Sequence, residues 1–121
     1  RVLFRSVKKV WQACLAEMDA ASLAGHFHNT YGMAIANIYQ SLEQGIRVFD
    51  SSIAGLGGCP YAKGASGNVS TEDLYYLLSN MGYDTGIDLD ALMIASQNIS
   101  QVLQRTNPSN YANAYWQKRC A

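Results

Sequence analysis

The sequence has little charge and no long apolar run. Nine Lys and Arg residues balance nine Asp and Glu residues in a chain of 121, and no basic cluster is longer than two residues. The chain therefore offers no excess charge that would attract nucleic acid or an anionic membrane. Its apolar runs are far shorter than the roughly 18 residues that span a bilayer, and no signal-peptide pattern is present. We expect a soluble protein whose partners include no nucleic acid and no membrane.

Cysteine is also scarce, with Cys14, Cys59 and Cys120 at wide and irregular spacing. An odd number of cysteines in this arrangement does not form a disulfide framework and favours a reducing compartment. Cys14 falls among apolar residues at helical spacing, so we expect it to be structural. The apolar fraction of 49% is that of an ordinary globular domain with one core.

The chain does not begin with Met, and its first six residues, RVLFRS, match one reading frame of a common sequencing adapter. We therefore interpret residues 1–6 as a non-native leader. Residues 7–105 show the patterns of a folded domain, and residues 106–121 form a weakly patterned tail. The sequence would then be a piece of a longer protein.

Apolar spacing and capping residues predict four helices and two short strands. The Ser70–Asp73 stretch has the capping-box pattern of a helix start, and Asp88 is in position to cap the next helix. The predicted helices cover about residues 7–21, 31–44, 70–82 and 88–103, and the predicted strands cover about 23–28 and 46–51. Alternating helices and strands indicate an α/β fold with parallel strands. Because two such strands would leave open edges, we expect them to belong to a larger parallel sheet or barrel.

Ligands bind at the carboxyl ends of parallel strands, and reactive side chains lie at such ends here. His26 and His28 alternate in an extended segment, so both imidazoles can face one ion. The loop after the second strand should bring Cys59 and Asn68 to the same rim. Two imidazoles with an amide or carboxylate oxygen suit Mg²⁺, Mn²⁺ or Zn²⁺ with positions open for substrate. Core packing of the histidines is the alternative, and a closed zinc site is disfavoured because it needs four ligands.

The segment Gly55–Asn68, GLGGCPYAKGASGN, holds half of the ten glycines, namely Gly55, Gly57, Gly58, Gly64 and Gly67. Their spacing does not match phosphate-binding loops, since no third glycine follows at the right offset and no Gly-Lys-Ser/Thr occurs. Glycine on both sides of Cys59 predicts a loop that can move and place a reactive thiol. A spare thiol in a flexible turn is the alternative.

Three stretches, GHFHNTYGMAIAN, VFDSSIAGLGGCPYAKGASGN and STEDL, resemble the C-terminal part of the 3-hydroxy-3-methylglutaryl-CoA lyase family, in its bacterial or mitochondrial form. The resemblance runs from about Leu23 to Leu103, and the cysteine loop is specific to this family within a wider superfamily. It implies an α/β fold, the C-terminal part of a TIM (β/α)8 barrel with strands seven and eight, their helices and a C-terminal extension. It also implies a homodimer located in the bacterial cytoplasm or the mitochondrial matrix.

The resemblance further implies cleavage of 3-hydroxy-3-methylglutaryl-CoA to acetyl-CoA and acetoacetate with Mg²⁺ or Mn²⁺, a step of leucine degradation and ketone-body formation. His26, His28 and Asn68 match the metal ligands of the family, and His26 is also implicated in proton transfer. Cys59 matches its catalytic loop cysteine. The remaining metal ligand and a catalytic arginine of the family lie outside this chain, so we expect the chain alone to be inactive.

Three further residues have open roles. Asn29 stands where many family members have Asp, and an amide there can still orient a metal ligand. Glu72 could orient a ligand too, or it could serve only in helix capping. Cys120 has a counterpart in forms with a regulatory C-terminal thiol, although a tail cysteine without function is the simpler interpretation.

Other functions also fit the residues. One is a related lyase for a longer branched 3-hydroxyglutaryl-CoA, and another is a condensing enzyme similar to isopropylmalate synthase, against which Cys59 argues. A non-catalytic metal-binding or assembly module is the third alternative.

Overall fold

The computed structural model describes residues 4–58 and 67–120. They form two compact units, of which the first ends at Asp50 and the second begins at Ser51. The elements of the first unit are α1 (Phe4–Leu15), β1 (Ala24–His26), α2 (Ala34–Glu43) and β2 (Val48–Asp50). The helices of the second unit are α3 (Thr71–Asn80), α4 (Leu89–Val102) and α5 (Asn110–Cys120). Short 3₁₀ turns lie at Ala20–Ser22 and Ile53–Gly55.

The two strands of the first unit are parallel and joined through α2, as the sequence predicts. Their register pairs Ala24 with Val48, Gly25 with Phe49, and His26 with Asp50. Beside the strands, Val7 and Trp11 of α1 pack with Ile46, and Phe27 and Phe49 pack against this cluster. Nε1 of Trp11 donates to Oγ of Ser41 at 2.6 Å, which satisfies the indole of a buried side chain. This packing holds the carboxyl ends of β1 and β2 next to each other.

Near the start of the second unit, Ser52 and Ser70 form an isolated parallel β-bridge. Oγ of Ser70 accepts the backbone N–H of Asp73 at 3.2 Å and so caps α3. A carboxylate oxygen of Asp88 accepts the backbone N–H of Ala91 at 3.0 Å and caps α4. Both contacts confirm the predicted helix starts. Among the described residues of this unit, the buried apolar side chains are those of Ala54, Val69, Leu74, Leu92, Met93 and Ala112.

The structure differs from the predicted elements at α1 and in the tail. α1 ends at Leu15 rather than near residue 21. The apolar residues Val10 and Met18 of the predicted helical range are half exposed. The tail forms α5, whereas the sequence predicts no helix there. An oxygen of Asp73 accepts the backbone N–H of Tyr111 at 2.9 Å, which secures the first turn of α5 through a contact that no local pattern indicates. None of the described helices is long and apolar enough to cross a membrane.

Candidate metal-binding and catalytic residues

The two candidate histidines lie at the carboxyl end of β1. His26 is the last residue of the strand, and the ring centroids of His26 and His28 are 5.1 Å apart with the rings tilted by 56°. The extended backbone therefore places both imidazoles close together, as the alternation of residues predicts. Neither ring belongs to the buried core, which disfavours the interpretation of the pair as core packing.

The orientation of His26 is fixed by a residue that sequence reasoning missed. Nδ1 of His26 lies 2.6 Å from Oδ1 of Asp50, the residue opposite it in the register of the two strands. Because a carboxylate accepts and does not donate, this contact selects, for the neutral imidazole, the tautomer with the proton on Nδ1 and the lone pair on Nε2. Carboxylate–imidazole pairs of this kind commonly orient histidine ligands of metal ions. The signal in the sequence was an Asp at the end of the second predicted strand.

The side chain of Asn29 forms a hydrogen bond with the backbone of the following helix. Its Oδ1 accepts the N–H of Ala34, the first residue of α2, at 3.1 Å. Its own carbonyl accepts the N–H of Gly32 at 2.9 Å. Asn29 therefore closes the turn after the two histidines and satisfies the first N–H of the following helix, a role that needs only an acceptor oxygen and that an Asp could also fill.

Asn68 has one polar atom in use and one free for a ligand. Its Nδ2 donates to the carbonyl oxygen of Leu56 at 3.1 Å, which fixes the amide plane. Its Oδ1 is buried and has no hydrogen-bond partner among the described residues. A buried amide oxygen without a partner is costly and calls for an explanation, of which a bound ion is one.

Three positions near Asn68 require glycine, two because their φ is positive and one because the backbone is closely packed there. Gly55 and Gly57 have φ of +56° and +104°, which side-chain-bearing residues rarely adopt. A Cβ on Gly67 would overlap the carbonyl oxygens of both, so residues 55–57 and 67 lie directly against each other. A Cβ on Gly58, by contrast, would meet no described heavy atom within 4 Å. Cys59 and Gly64, also assigned to the loop, lie outside the described residues.

Glu72 lies in the interior of the second unit and does not cap its helix. The cap of α3 is formed by Ser70 and Asp73, so the helix-capping alternative for Glu72 is wrong. Its side chain is fully buried, and both of its carboxyl oxygens accept the backbone N–H of Ala54, at 2.9 and 3.2 Å. Oγ of Ser96 donates to the same carboxyl group and accepts from Nδ2 of Asn107 at 2.6 Å. These hydrogen bonds satisfy a group that would be costly to bury without partners.

Shifted pKa values occur at three groups on α4 and α5, which are not among the candidate site residues. The hydroxyl of Tyr115 and Nη2 of Arg119 both donate to Oδ1 of Asp90, the latter at 3.1 Å. The hydrogen bond from Tyr115 and the charge of Arg119 lower the pKa of Asp90 below its usual 3.8. The same hydrogen bond raises the pKa of Tyr115, and burial raises that of Tyr111.

Each unit by itself offers candidate ligand atoms for a divalent cation. The first unit offers Nε2 of His26, the ring nitrogen that Asp50 does not bond. The second offers Oδ1 of Asn68, which has no hydrogen-bond partner among the residues that the structure describes. Imidazole nitrogen and amide oxygen are both ligand types for divalent cations, whereas a closed zinc site would need four protein ligands. Within residues 4–58 and 67–120, no three His, Cys, Asp or Glu side chains lie close enough together to hold a metal ion.

Comparison with known proteins identifies the family. Residues 1–99 match the HMGL-like family. The chain belongs to the HMGL-like family. This HMGL-like chain is 55% identical over 101 residues to hydroxymethylglutaryl-CoA lyase of Pseudomonas mevalonii, an alignment that covers 84% of this chain and 34% of the relative. It is 54% identical over 109 residues to 3-hydroxy-3-isohexenylglutaryl-CoA/hydroxy-methylglutaryl-CoA lyase of Pseudomonas aeruginosa, covering 90% of this chain and 36% of the relative.

The fold of the HMGL-like chain also matches a solved structure. The crystal structure of hydroxymethylglutaryl-CoA lyase from Pseudomonas aeruginosa superposes with a TM-score of 0.90 at 52% identity, over 95% of this chain and 38% of the other. These matches confirm the predicted α/β fold, the C-terminal part of a TIM (β/α)8 barrel. The chain spans about a third of the length of the curated relatives it matches.

Proposed function

We propose that this chain forms the C-terminal part of a divalent-metal-dependent lyase that cleaves 3-hydroxy-3-methylglutaryl-CoA to acetyl-CoA and acetoacetate. The complete protein is the longer polypeptide of which this chain would be the C-terminal part. The observation that carries the proposal is the match of nearly the whole chain, at 54–55% identity, to two proteins named as lyases of this substrate. The reaction would serve leucine degradation and ketone-body formation.

In this proposal His26, His28 and Asn68 hold Mg²⁺ or Mn²⁺. The support is the free Nε2 of His26, the adjacent ring of His28 and the unpartnered Oδ1 of Asn68. When bound, the cation would act as a Lewis acid that polarises the substrate's hydroxyl and the departing carbonyl. Asp50 would keep the Nδ1 proton of His26 in place, so that Nε2 is presented as a lone pair.

Proton transfer completes the proposed reaction. Removal of the proton from the tertiary hydroxyl breaks the carbon–carbon bond and leaves the enolate of acetyl-CoA, which must be protonated before it attacks the ketone again. Nδ1 of His26 bonds Asp50, and Nε2 would be the nitrogen that holds the cation, so any proton that passes through His26 would use Nδ1 and Asp50. Cys59 is the proposed donor or relay to the enolate.

The glycine-rich loop is proposed to open for the CoA ester and then to close over it. The described glycines of this loop are Gly55, Gly57, Gly58 and Gly67. All but Gly58 are required by the backbone conformation or close packing of residues 55–57 and 67, so Gly58 is the one left for this movement. Closure would place the thiol and exclude water from the enolate.

A second candidate function is a lyase for a longer branched 3-hydroxyglutaryl-CoA. The Pseudomonas aeruginosa relative carries a name that includes 3-hydroxy-3-isohexenylglutaryl-CoA, and its identity to this chain is within one percentage point of that of the Pseudomonas mevalonii protein. An isopropylmalate-synthase-like condensing enzyme and a non-catalytic metal-binding module are less well supported, since neither appears in those names.

Acetoacetate release by the complete protein with Mg²⁺ tests the reaction. The assay compares 3-hydroxy-3-methylglutaryl-CoA with its isohexenyl analogue, whose cleavage product is detected by mass spectrometry. A higher kcat/KM for the methyl substrate supports the first proposal, and the reverse supports the second. No cleavage of either by a folded, metal-loaded protein would reject both.

The assembly is proposed to be a homodimer that binds an acyl-CoA substrate, in the bacterial cytoplasm or alternatively in the mitochondrial matrix. The 121-residue chain alone is proposed to be inactive and poorly stable, because its two paired strands are a small part of a barrel that needs about 250 residues. Measurable lyase activity with a cooperative melting transition from the chain alone would reject this point.

A further inference from the structure

The turn Ile53–Gly55 contains a residue in an unfavourable conformation. Ala54 has φ of +52° and ψ of +28°, in the left-handed region, and its side chain is fully buried. A residue with a Cβ is disfavoured in that region, so the surrounding structure must hold it there. Gly55, the next residue, also has a positive φ and continues the turn.

Two side chains from distant parts of the chain hold the backbone of Ala54. Its N–H donates to both carboxyl oxygens of Glu72, on α3. Its carbonyl oxygen accepts from Nη2 of Arg105, which follows α4, at 2.8 Å. We call Glu72 and Arg105 together the Ala54 clamp. The clamp bonds both polar groups of one residue with side chains of formally opposite charge, in place of the backbone partners that most turns use.

The clamp requires burial of the Glu72 carboxyl group, which is energetically unfavourable, and this indicates that the position of the turn matters. The carboxyl group of Glu72 is buried completely and accepts from Oγ of Ser96, which in turn accepts from Nδ2 of Asn107. Burial of such a group weakens rather than improves stability in many proteins, so packing alone is a poor reason for Glu72.

The turn leads directly to the amide of Asn68. The residue after it, Leu56, donates its N–H to the carbonyl of Ile53 at 3.1 Å, and the carbonyl of Leu56 accepts Nδ2 of Asn68 at the same distance. A Cβ on Gly67 would overlap the carbonyl oxygen of Gly55, so the backbone before Asn68 lies against the turn. The position of the turn therefore sets the plane of the amide and the direction of its unpartnered Oδ1.

We propose that Glu72 and Arg105 are positioning residues for Asn68, which fix the Ala54 turn so that Oδ1 of Asn68 is presented to a divalent cation. The inference rests on the proposed metal-binding role of Asn68, but it does not depend on the reaction. Arg105 was not singled out by any sequence pattern.

Mn²⁺ affinity of the complete protein without substrate, measured by electron paramagnetic resonance, tests the clamp. Arg105→Ala is expected to weaken Mn²⁺ binding about tenfold or more, the range typical of residues that orient metal ligands. Arg105→Lys keeps a positively charged donor group and should restore part of the loss. Glu72→Gln keeps one acceptor for the N–H of Ala54 and should cause a smaller loss. Arg119→Ala is the matched control, because Arg119 bonds Asp90 instead, and it should leave the affinity unchanged.

A double variant separates positioning from general destabilisation. If the clamp acts through Asn68, Arg105→Ala should cause no further loss of Mn²⁺ affinity in an Asn68→Ala background. An equal loss in both backgrounds, or wild-type affinity in Arg105→Ala when Asn68→Ala is weakened, overturns the clamp and leaves the proposed metal site standing. Mn²⁺ binding that does not depend on Asn68 overturns both. Acetoacetate release is read separately, so failure of the reaction alone leaves the clamp intact.

Discussion

Nδ1 of His26 lies 2.6 Å from Oδ1 of Asp50, and the two residues are direct partners in the parallel register of β1 and β2. The pairing places a carboxylate behind the imidazole and leaves Nε2 exposed for a ligand. It connects the fold to the proposed chemistry, because the same strand pairing that builds the sheet also selects the tautomer of a proposed metal ligand.

Asp50→Ala should lower the affinity of the complete protein for Mn²⁺ about 10- to 100-fold, since His26 would lose the partner that fixes its tautomer and ring orientation. Asp50→Asn retains an oxygen acceptor and should cost less. Titration of Mn²⁺ followed by electron paramagnetic resonance gives both affinities. Asp19→Ala is the control, because Asp19 lies in the same unit and its side chain makes no capping hydrogen bond. Equal Mn²⁺ affinities for Asp50→Ala and the wild type would reject the proposed role of Asp50 in orienting His26.

Gly67→Ala should destabilise the complete protein by about 1–3 kcal/mol, the range found for overpacked sites, because the new Cβ would overlap two carbonyl oxygens. The measurement is the unfolding free energy from denaturant titration. Gly58→Ala is the control and should leave stability unchanged. The packing described for residues 55–57 and 67 would be wrong if the two variants were equally stable.

Gly58→Ala also tests the proposed loop movement. If the loop must open and close, the variant should lower kcat/KM for the acyl-CoA substrate while its melting temperature stays that of the wild type. The reason is that alanine restricts the backbone without adding a contact to the residues that the structure describes. Steady-state kinetics beside a thermal melt gives both quantities. Unchanged turnover and KM would count against movement at this glycine.

The pKa of Asp90 in the folded protein should lie below 3.8, and Tyr115→Phe should raise it more than Arg119→Ala, since the hydrogen bond from Tyr115 is the larger cause. Because the folded pKa is depressed, the stability from ionised Asp90 is present above the unfolded pKa and is lost as the pH falls through the folded pKa. The window is therefore acidic, below about pH 4. A carbon-detected NMR titration of the Asp90 carboxyl gives the value, and an ordinary pKa in the wild type would contradict the prediction.

Much of the fold follows from local sequence signals. Ser70 and Asp88 start their helices as predicted, because a side-chain cap acts within a few residues of its own backbone. The strand that carries His26 and the parallel arrangement of the two strands were also predicted. α5 was not, because its polar residues show no apolar stripe and the contact of Tyr111 with Asp73 is distant in sequence.

The candidate site was less accessible to sequence reasoning. Spacing singled out His26, His28 and Asn68, but the roles of Asp50 and Arg105 depend on strand register and on a turn more than 50 residues earlier in the chain. Glu72 was noticed, and its capping alternative failed because its partner is the backbone of Ala54 rather than its own helix. Local patterns point to candidate ligands, whereas the residues proposed to orient them come from tertiary contacts.

Acetoacetate release from 3-hydroxy-3-methylglutaryl-CoA by the complete protein with Mg²⁺ tests the central claim most directly, with wild type compared with Cys59→Ala. Cys14→Ala is the matched control, because Cys14 is a partly buried thiol that packs beside the core of the first unit. The account predicts release by the wild type and by Cys14→Ala, and a loss of about 10²-fold or more in Cys59→Ala, as expected when a proton donor is removed. No release from a folded, metal-loaded wild type, or full release from Cys59→Ala, would contradict it.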